Sequence, residues 1–404
     1  MILAGGNDQI ALIEELRRYF NNEVYIILVD MSSNVKAVPF ADKFLQISTM
    51  DREAVLVAAR AENIDYILTA CGDQPLSTMA YVSARMGLPC YLTEEQVQLL
   101  TNKLHMKRMM IENGIPTSKY VAIGREWSLS DFKHLNYPLV VKPVDSNGSK
   151  GVKKVESADD IQKYLDEAFG YSLSGDVIVE EFNEGSELSI DVYVEGNSAK
   201  ILSVISLEKI KQNKDSFTIV QSNYPPICEY DSEEIKRVVQ QIVDVFGLKD
   251  TPLLIQAIQT TRGLRVVEFS ARMGGGSKFR SIKTFSGVDI MNVYVRMVMG
   301  EKPSVNPQRL VNNASMSFVY CTPGVFSKIC GFDELVAQGV IKYYYTYKMP
   351  GCEIVKSNTS SDRVAGFMIV GDSLQEVKQK IEYANSRLKV LDENGNDIMN
   401  HNLY

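Results

Sequence analysis

Three stretches of this sequence gather side chains suited to handling a phosphorylated substrate. The first is PLVVKPVDSNGSKGV, in which an apolar run delivers Lys142 and then a loop of Asp145, Ser146, Asn147, Gly148, Ser149, Lys150 and Gly151. Glycines in such a loop let backbone N–H groups approach phosphate oxygens closely, and a lysine on the preceding strand supplies a fixed positive charge. Alone, a strand-end lysine before a Gly/Ser turn is more often an exposed side chain. The second stretch, VIVEEFNEGSELSIDVYV, sets Glu180, Glu181 and Phe182 directly after an apolar run and Glu187 at the start of another. Hinge backbone there could hydrogen-bond a purine edge, and a carboxylate a few residues on could take ribose hydroxyls; surface acids around a turn are the plain alternative. A nucleotide needs both a phosphate loop and an adenine hinge, and here they follow in order. The third, LLIQAIQTTRGLRVVEFSARMGGG, carries Gln256 on one strand and Glu268, Ser270 and Arg272 alternating along the next, which points those three to one face. A carboxylate, an amide and a hydroxyl on one wall could hold a magnesium ion, which prefers hard oxygen ligands, and an arginine beside them would stabilise charge on a transferred phosphoryl group. An ordinary amphipathic strand explains the same alternation.

Strands and helices must hold these residues, and the hydrophobic pattern supplies them. Residues 1–92 alternate short apolar runs (ILAGG, VYIILVD, IDYILTA) with amphipathic stretches (IALIEELRRYF, REAVLVAARAEN), a βαβ pattern that predicts a parallel sheet in a Rossmann-like domain. The turn Gly5-Gly6-Asn7-Asp8-Gln9-Ile10 departs from the GxGxxG dinucleotide fingerprint and reads as a tight strand-to-helix turn, which leaves a dinucleotide-dependent oxidoreductase as the weakest alternative. Cys71-Gly72-Asp73-Gln74-Pro75 is a strand-end loop that either lines a crevice or merely turns. Helical patterns EEQVQLL and NKLHMKRMMIEN open a second unit over 93–302, the latter stopped at Gly114 and Pro116. Within it, residues about 120–182 predict a small α+β lid, with helix IQKYLDEAFG between two strands. ELSIDVYVEGNSAKILSVIS predicts a hairpin turning at Gly196-Asn197, KRVVQQIVDVFGL a helix, and the stretch with Gln256 and Glu268 a second hairpin turned near Arg262-Gly263. Residues 303–404 predict a C-terminal α+β domain of strands ASMSFVYC, GVIKYYYTYKM and VAGFMIVG and helix LQEVKQKIEYANSRL, with Tyr343 to Tyr345 on a strand buried on both faces.

Composition narrows the chemistry. At 404 residues the chain is long enough for two to four units, and 45% hydrophobic with 23% charged residues is ordinary for a globular protein. A net charge of -7 with no Lys/Arg-rich block argues against nucleic acid and against anionic membrane as partners. No run approaches the roughly 18 apolar residues of a membrane span, and MILAGGNDQI lacks a signal peptide's layout, so a cytoplasmic location is expected. The six cysteines form no CxxC pair, and His105, His134 and His401 lie away from the three stretches, so zinc chemistry and Ser/His/Asp hydrolysis lack their parts.

In this order, the stretches resemble the ATP-grasp superfamily over most of the chain, in particular the branch with biotin carboxylase, the carbamoyl phosphate synthetase large-chain domains and the carboxylate-amine ligases. The resemblance implies an α/β and α+β multidomain architecture: a Rossmann-like N-terminal domain, a two-part ATP-grasp fold and a small α+β C-terminal domain. It implies that Lys103, in TNKLHMKRMM, and Lys142 contact ATP phosphates, with Ser146, Gly148, Ser149 and Gly151 closing over them. Glu180 and the Glu181-Phe182 backbone would hold adenine and Glu187 the ribose. Gln256, Glu268 and Ser270 would hold Mg²⁺, or Mn²⁺ in its place; family members commonly have Glu and Asn where this chain has Gln256 and Ser270, so Glu268 would carry most of the metal binding. The implied activity is an ATP-dependent carboxylate-amine ligase working through an acyl phosphate and releasing ADP and phosphate. Lys142 and Arg272 would stabilise charge, Gly274, Gly275 and Gly276 would sit beside the acyl phosphate, and Lys278 or Arg280 would hold the carboxylate. The expected partners are a small-molecule carboxylate and amine, with a homodimer as the default assembly. Two alternatives stay open: a bicarbonate-activating carboxylase or carbamoyl-phosphate-forming enzyme, toward which Gln256 points, and a nucleotide-binding protein without turnover.

Overall fold

The computed structural model describes residues 1–145, 151–172, 174–210, 218–355 and 362–403, and these form a mixed α/β fold. The N-terminal part contains β1 (Ile2–Leu3), α1 (Asn7–Tyr19), β2 (Ile27–Asp30), β3 (Lys43–Gln46), α2 (Arg52–Ala61) and α3 (Asp73–Met86). β1, β2 and β3 pair in parallel; α1 makes the crossover from β1 to β2, and a connection with one 3₁₀ turn at Val38–Phe40 makes that from β2 to β3. IDYILTA falls short of a strand: it contributes a parallel bridge from Leu68 to Ile2, with Leu3 N donating to Leu68 O at 2.9 Å. Gly72, at φ +99°, then turns the chain into α3 and leaves Asp73 at the helix's first residue.

A capping box of Thr93 and Gln96 starts α4 (Glu94–Thr101). Asn102 caps α5 (Lys103–Glu112) by accepting from Leu104 N and His105 N, each at 3.0 Å, which fixes Lys103 in the first turn. The next elements are β4 (Tyr120–Ile123), β5 (Leu139–Pro143), β6 (Lys153–Val155), α6 (Ile161–Tyr171) and β7 (Val177–Glu181). They make a four-stranded antiparallel sheet in the order β4-β7-β5-β6, and α6 lays Ile161, Leu165, Ala168 and Phe169 against it at helical spacing. This lid-like layer has its own core, including Ile123, Leu139, Val141 and Val179.

The middle of the chain supplies β8 (Ser186–Glu195), β9 (Ser198–Lys209), β10 (Ile219–Tyr224), α7 (Ser232–Val245), β11 (Thr251–Thr260), β12 (Gly263–Ser270), α8 (Lys278–Ser286) and α9 (Ile290–Val298). The hairpin β8–β9 closes at Gly196-Asn197, with Glu195 opposite Ser198. The second hairpin closes one residue earlier than its glycine suggests, with Thr260 opposite Gly263. After these come β13 (Asn313–Val319), β14 (Gly324–Cys330), α10 (Phe332–Ala337), β15 (Tyr343–Thr346), β16 (Glu353–Ile354), β17 (Ala365–Gly371), α11 (Leu374–Arg387) and β18 (Lys389–Asp392).

One eight-stranded antiparallel sheet, ordered β12-β11-β8-β9-β10-β13-β17-β15, runs through both regions. β13 pairs with β10, so the sheet continues unbroken across residue 303, where composition alone suggests a division. β14, β16 and β18 form a separate small sheet. Apolar side chains of β8, β11, β12 and α7 pack together with those of β1, α2 and α3, so the N-terminal part and the large sheet share a core. Among the described residues, no helix is long and apolar enough to cross a membrane.

Candidate functional site

Two clusters of charge lie near one another, one where the small antiparallel sheet meets α5 and the other on the large sheet, and Glu268 of the second acts on Lys107 of the first. In the lid, β5 presents Lys142 and the neighbouring β7 presents Glu180; in register, Lys142 stands opposite Ile178 and Glu180 opposite Val140. Lys142 Nζ lies 2.5 Å from Glu180 Oε1, and Lys107 of α5 pairs with the other carboxylate oxygen. All three side chains are buried, with Lys107 at 1% exposure. Lys107 Nζ also donates to Thr117 Oγ1 at 2.9 Å, and Thr117 Oγ1 in turn donates to Val266 O of β12 at 2.7 Å. The cluster therefore ties α5, the lid and the large sheet together. Burial opposes charge on Lys107 and on Glu180. For Lys107 it prevails, bringing the ammonium down to about 8. For Glu180 the two lysines prevail over burial and hold the carboxyl at about 2. Two cations on one carboxylate leave the cluster with a surplus positive charge. Lys107 is not singled out by the motifs, although its spacing of four from Lys103 places both on one face of α5.

The second cluster lies on the large sheet. Gln256 of β11 stands opposite Glu268 of β12, and a bulge follows at once, since Ala257 pairs with Val266. Bulges re-aim side chains next to functional sites. Beyond it Ser270 and Arg272 point to Asp73 of α3. Ser270 Oγ donates to Asp73 Oδ1 at 2.5 Å, while Arg272 grips both carboxylate oxygens, Nε to Oδ1 at 2.8 Å and Nη2 to Oδ2 at 2.9 Å. Burial would raise the Asp73 carboxyl, but the guanidinium and these hydrogen bonds hold it at about 2. Asp73, Lys103, Asp145, Gln256, Glu268, Ser270 and Arg272 line one pocket. Lys103 Nζ lies 3.8 Å from Glu268 Oε2.

This geometry revises several expectations. Ser270 spends its hydroxyl proton on Asp73, which orients its oxygen and leaves that oxygen's lone pairs for a metal. Arg272 spends three of its five N–H donors, two on Asp73 and one on Met273 O, and two remain for a substrate. The Glu181 and Phe182 backbone amides are not free for a purine edge: Glu181 N donates to Lys119 O and Phe182 N to Pro138 O, both at 2.9 Å. Glu181 itself accepts from Asn136. Glu187 pairs with Lys209 at 2.5 Å and lies 3.5 Å from Gln256 Nε2. Ser146, Gly148 and Ser149 fall outside the described residues. Gly151 is described and buried, packed where an added Cβ would stand 2.8 Å from Tyr171 and 3.0 Å from Pro143.

A second pocket adjoins the first and shares Leu254 and Gln256 with it. Gly274, Gly275, Gly276 and Lys278 line this second pocket. Lys278 Nζ bonds Ser189 Oγ and sits 3.1 and 3.3 Å from the two Asp191 oxygens, and a Cβ on Gly274 would come within 2.5 Å of its side chain. Arg280 is exposed and stands over the Tyr345 ring, 5.1 Å from its centroid, so it is not a lining residue. Arg363, on the segment leading into β17, takes that place instead, stacked on Phe318 at 3.7 Å and donating to Tyr320 OH at 3.1 Å. The glycine turn is held from below by Asp8 of α1, which accepts from Ser277 N at 3.0 Å; burial pushes the Asp8 carboxyl up to about 6. The Gly5 to Asp8 turn thus supports the site rather than a dinucleotide: a Cβ on Gly5 would lie 2.2 Å from Val35.

Gln256 and Glu268 offer hard oxygen donors side by side in register, which suits one magnesium ion that takes its remaining ligands from phosphates and water. Among the described residues, no group of three or more His, Cys, Asp or Glu side chains forms a metal cage.

Residues 135–280 match the family model of the ATP-grasp domain. The chain is 31% identical over 189 residues to the formate-dependent phosphoribosylglycinamide formyltransferase of Mannheimia succiniciproducens, covering 45% of this chain and 46% of that protein. It is 24% identical over 324 residues to the phosphoribosylamine–glycine ligase of Methanosarcina barkeri, covering 75% and 74%. The match thus spans less than half the length of the formyltransferase and about three quarters of the ligase. The structure of an L-amino acid ligase from Bacillus licheniformis superposes with a TM-score of 0.79 at 19% identity over 97% of this chain and 98% of that one, a likeness of fold.

Proposed function

We propose that the chain, whose residues 135–280 match the ATP-grasp domain, is an ATP-dependent ligase of that superfamily joining a small carboxylate to an amine. The observation that carries this reading is the Gln256–Glu268 pair at the seam of two adjoining pockets, one lined by Lys103 and Arg272 and the other by the Gly274 to Gly276 turn. A nucleotide in the first pocket would direct its terminal phosphoryl group at an acid in the second.

A carboxylate oxygen of the substrate attacks the γ-phosphorus of ATP, the bond to the β–γ bridging oxygen breaks, and ADP leaves. The amine nitrogen then attacks the acyl carbon, sheds a proton to solvent, and phosphate departs with the bonding pair. No protein nucleophile is needed; the chain supplies position and charge. Lys103, the surplus charge of the Lys107–Glu180–Lys142 cluster and the two remaining N–H groups of Arg272 would offset the negative charge of the transferring group. Magnesium held by Gln256 and Glu268 would neutralise charge between the phosphates.

Hydroxylamine in place of the amine tests the reading. Carboxylate-dependent ADP release with a hydroxamate product is expected, and Glu268→Ala should lower its rate at least about a hundredfold, the scale of losing one electrostatic stabiliser. ADP release that needs no organic acid and rises with bicarbonate alone would replace the ligase by a bicarbonate-activating enzyme.

A further inference from the structure

The second pocket has a chemical character that the proposed reaction does not require. Its polar lining includes Gln256, the glycine turn, the Lys278–Asp191 pair and Arg363. The same pocket has an apolar wall of Ile205, Leu207, Phe285, Met316 and Phe318, contributed by β9, α8 and β13 and otherwise buried in a common core. Phe285 is fixed by stacking on Tyr224, with ring centroids 4.4 Å apart and planes 4° from parallel. Bicarbonate, formate or glycine would leave this wall facing water, at a cost proportional to the apolar area left wet. Arg363 lies beside the glycine turn, 3.1 Å from where a Gly276 Cβ would stand, with its flat face covered by Phe318. Arg363, which also donates to Tyr320, puts a delocalised positive charge beside the glycine turn, and an acid drawn to that charge has its tail toward the wall.

We propose that the acid activated here is a monocarboxylate with a branched or aromatic apolar tail, either an α-amino acid or its deaminated counterpart, with the tail against Met316 and Phe318 and the carboxylate between Arg363 and Gln256. This rests on the ligase reading for the carboxylate's fate, but not for its binding.

The test is isothermal titration of the full chain, saturated with magnesium and a non-hydrolysable ATP analogue, with glycine, alanine, valine, leucine, phenylalanine, propionate, 4-methylpentanoate, 3-phenylpropionate and bicarbonate. Affinity should rise about fourfold for each methylene buried, so leucine should bind roughly fiftyfold more tightly than alanine. A preference within the leucine and 4-methylpentanoate pair identifies the amino or the deaminated source. Met316→Ala, or Leu207→Ala if that variant does not fold, should shift preference toward the phenyl acids by about tenfold while leaving affinity for the ATP analogue unchanged. Arg363→Gln should weaken every acid by a common factor of about ten or more. A flat series, no binding by any acid, or bicarbonate binding best would overturn the proposal. Graded binding without ADP release from ATP, with any amine, would uphold the pocket and contradict the ligase reading instead.

Discussion

The two charge clusters differ in how their charges are matched. In the lid, Lys107 and Lys142 share the single carboxylate of Glu180 in a buried setting. On the large sheet, Arg272 is matched one to one by Asp73, with Ser270 completing the carboxylate's partners. The first cluster carries a surplus positive charge that Glu268 only partly offsets; in the second, Arg272 and Asp73 balance each other. The lid cluster is therefore suited to drawing in a polyanion. The sheet cluster is suited to locking one arginine in place across the joint between α3 and β12, and the lock explains how Arg272 can be ordered before any substrate arrives.

Breaking each cluster in turn sharpens the contrast. The largest loss is expected for Glu180→Gln, which leaves two buried lysines without their carboxylate; unfolding by urea should show about 3–5 kcal/mol less stability. Asp73→Asn should cost about 2–3 kcal/mol by the same measurement, since it removes a charge-assisted pair of hydrogen bonds but leaves Arg272 at a less buried position. Lys107→Met acts oppositely on the two properties: it leaves a neutral Glu180–Lys142 pair, so stability should change by no more than about 1 kcal/mol while ATP affinity falls roughly tenfold.

The pH profile carries the same signature. Glu180 and Asp73, each held at about 2 against ordinary values of 4.5 and 3.8, contribute stability that is full above about pH 4.5 and lost as pH falls toward 2. Lys107 is lowered from 10.5 to about 8, so between those values the unfolded chain binds more protons and stability rises with pH. Lys107→Met should abolish that alkaline rise and also shrink the part of the acid limb that comes from Glu180, which loses one of its two lysines, while the part from Asp73 stays, as followed by melting temperature. The smallest effect is expected for Gly274→Ala, where the new Cβ meets the Lys278 side chain at 2.5 Å. About 1 kcal/mol of stability should be lost, and KM should rise for the acid rather than for ATP.

Local pattern made part of this site readable. The alternation of Glu268, Ser270 and Arg272 predicts one face, and the structure brings all three into one pocket. Hairpin closure at Gly196-Asn197 and the apolar stripe of α6 follow from turn chemistry and helical period. Other features depend on partners far apart in the chain. Asp73 meets Arg272 across 199 positions and Asp8 meets Ser277 across 269, and nothing in either segment announces the other. The bulge after Gln256 leaves no glycine or proline as a sign. Continuation of the sheet through β13 is likewise set by pairing with β10, a choice among strands rather than a property of one. Lys107 carried a readable sign in its helical spacing from Lys103, but only the burial of Glu180 against it gives that spacing meaning.

The most direct test of the whole account is ADP and phosphate release from Mg·ATP with pairs drawn from a panel of carboxylic acids and amines, with products identified by mass. The account predicts equal release of ADP and phosphate that needs both partners, together with a condensed product lighter than their sum by one water. ATP binding with no ADP from any pair, or ADP release with no condensed product, would contradict it.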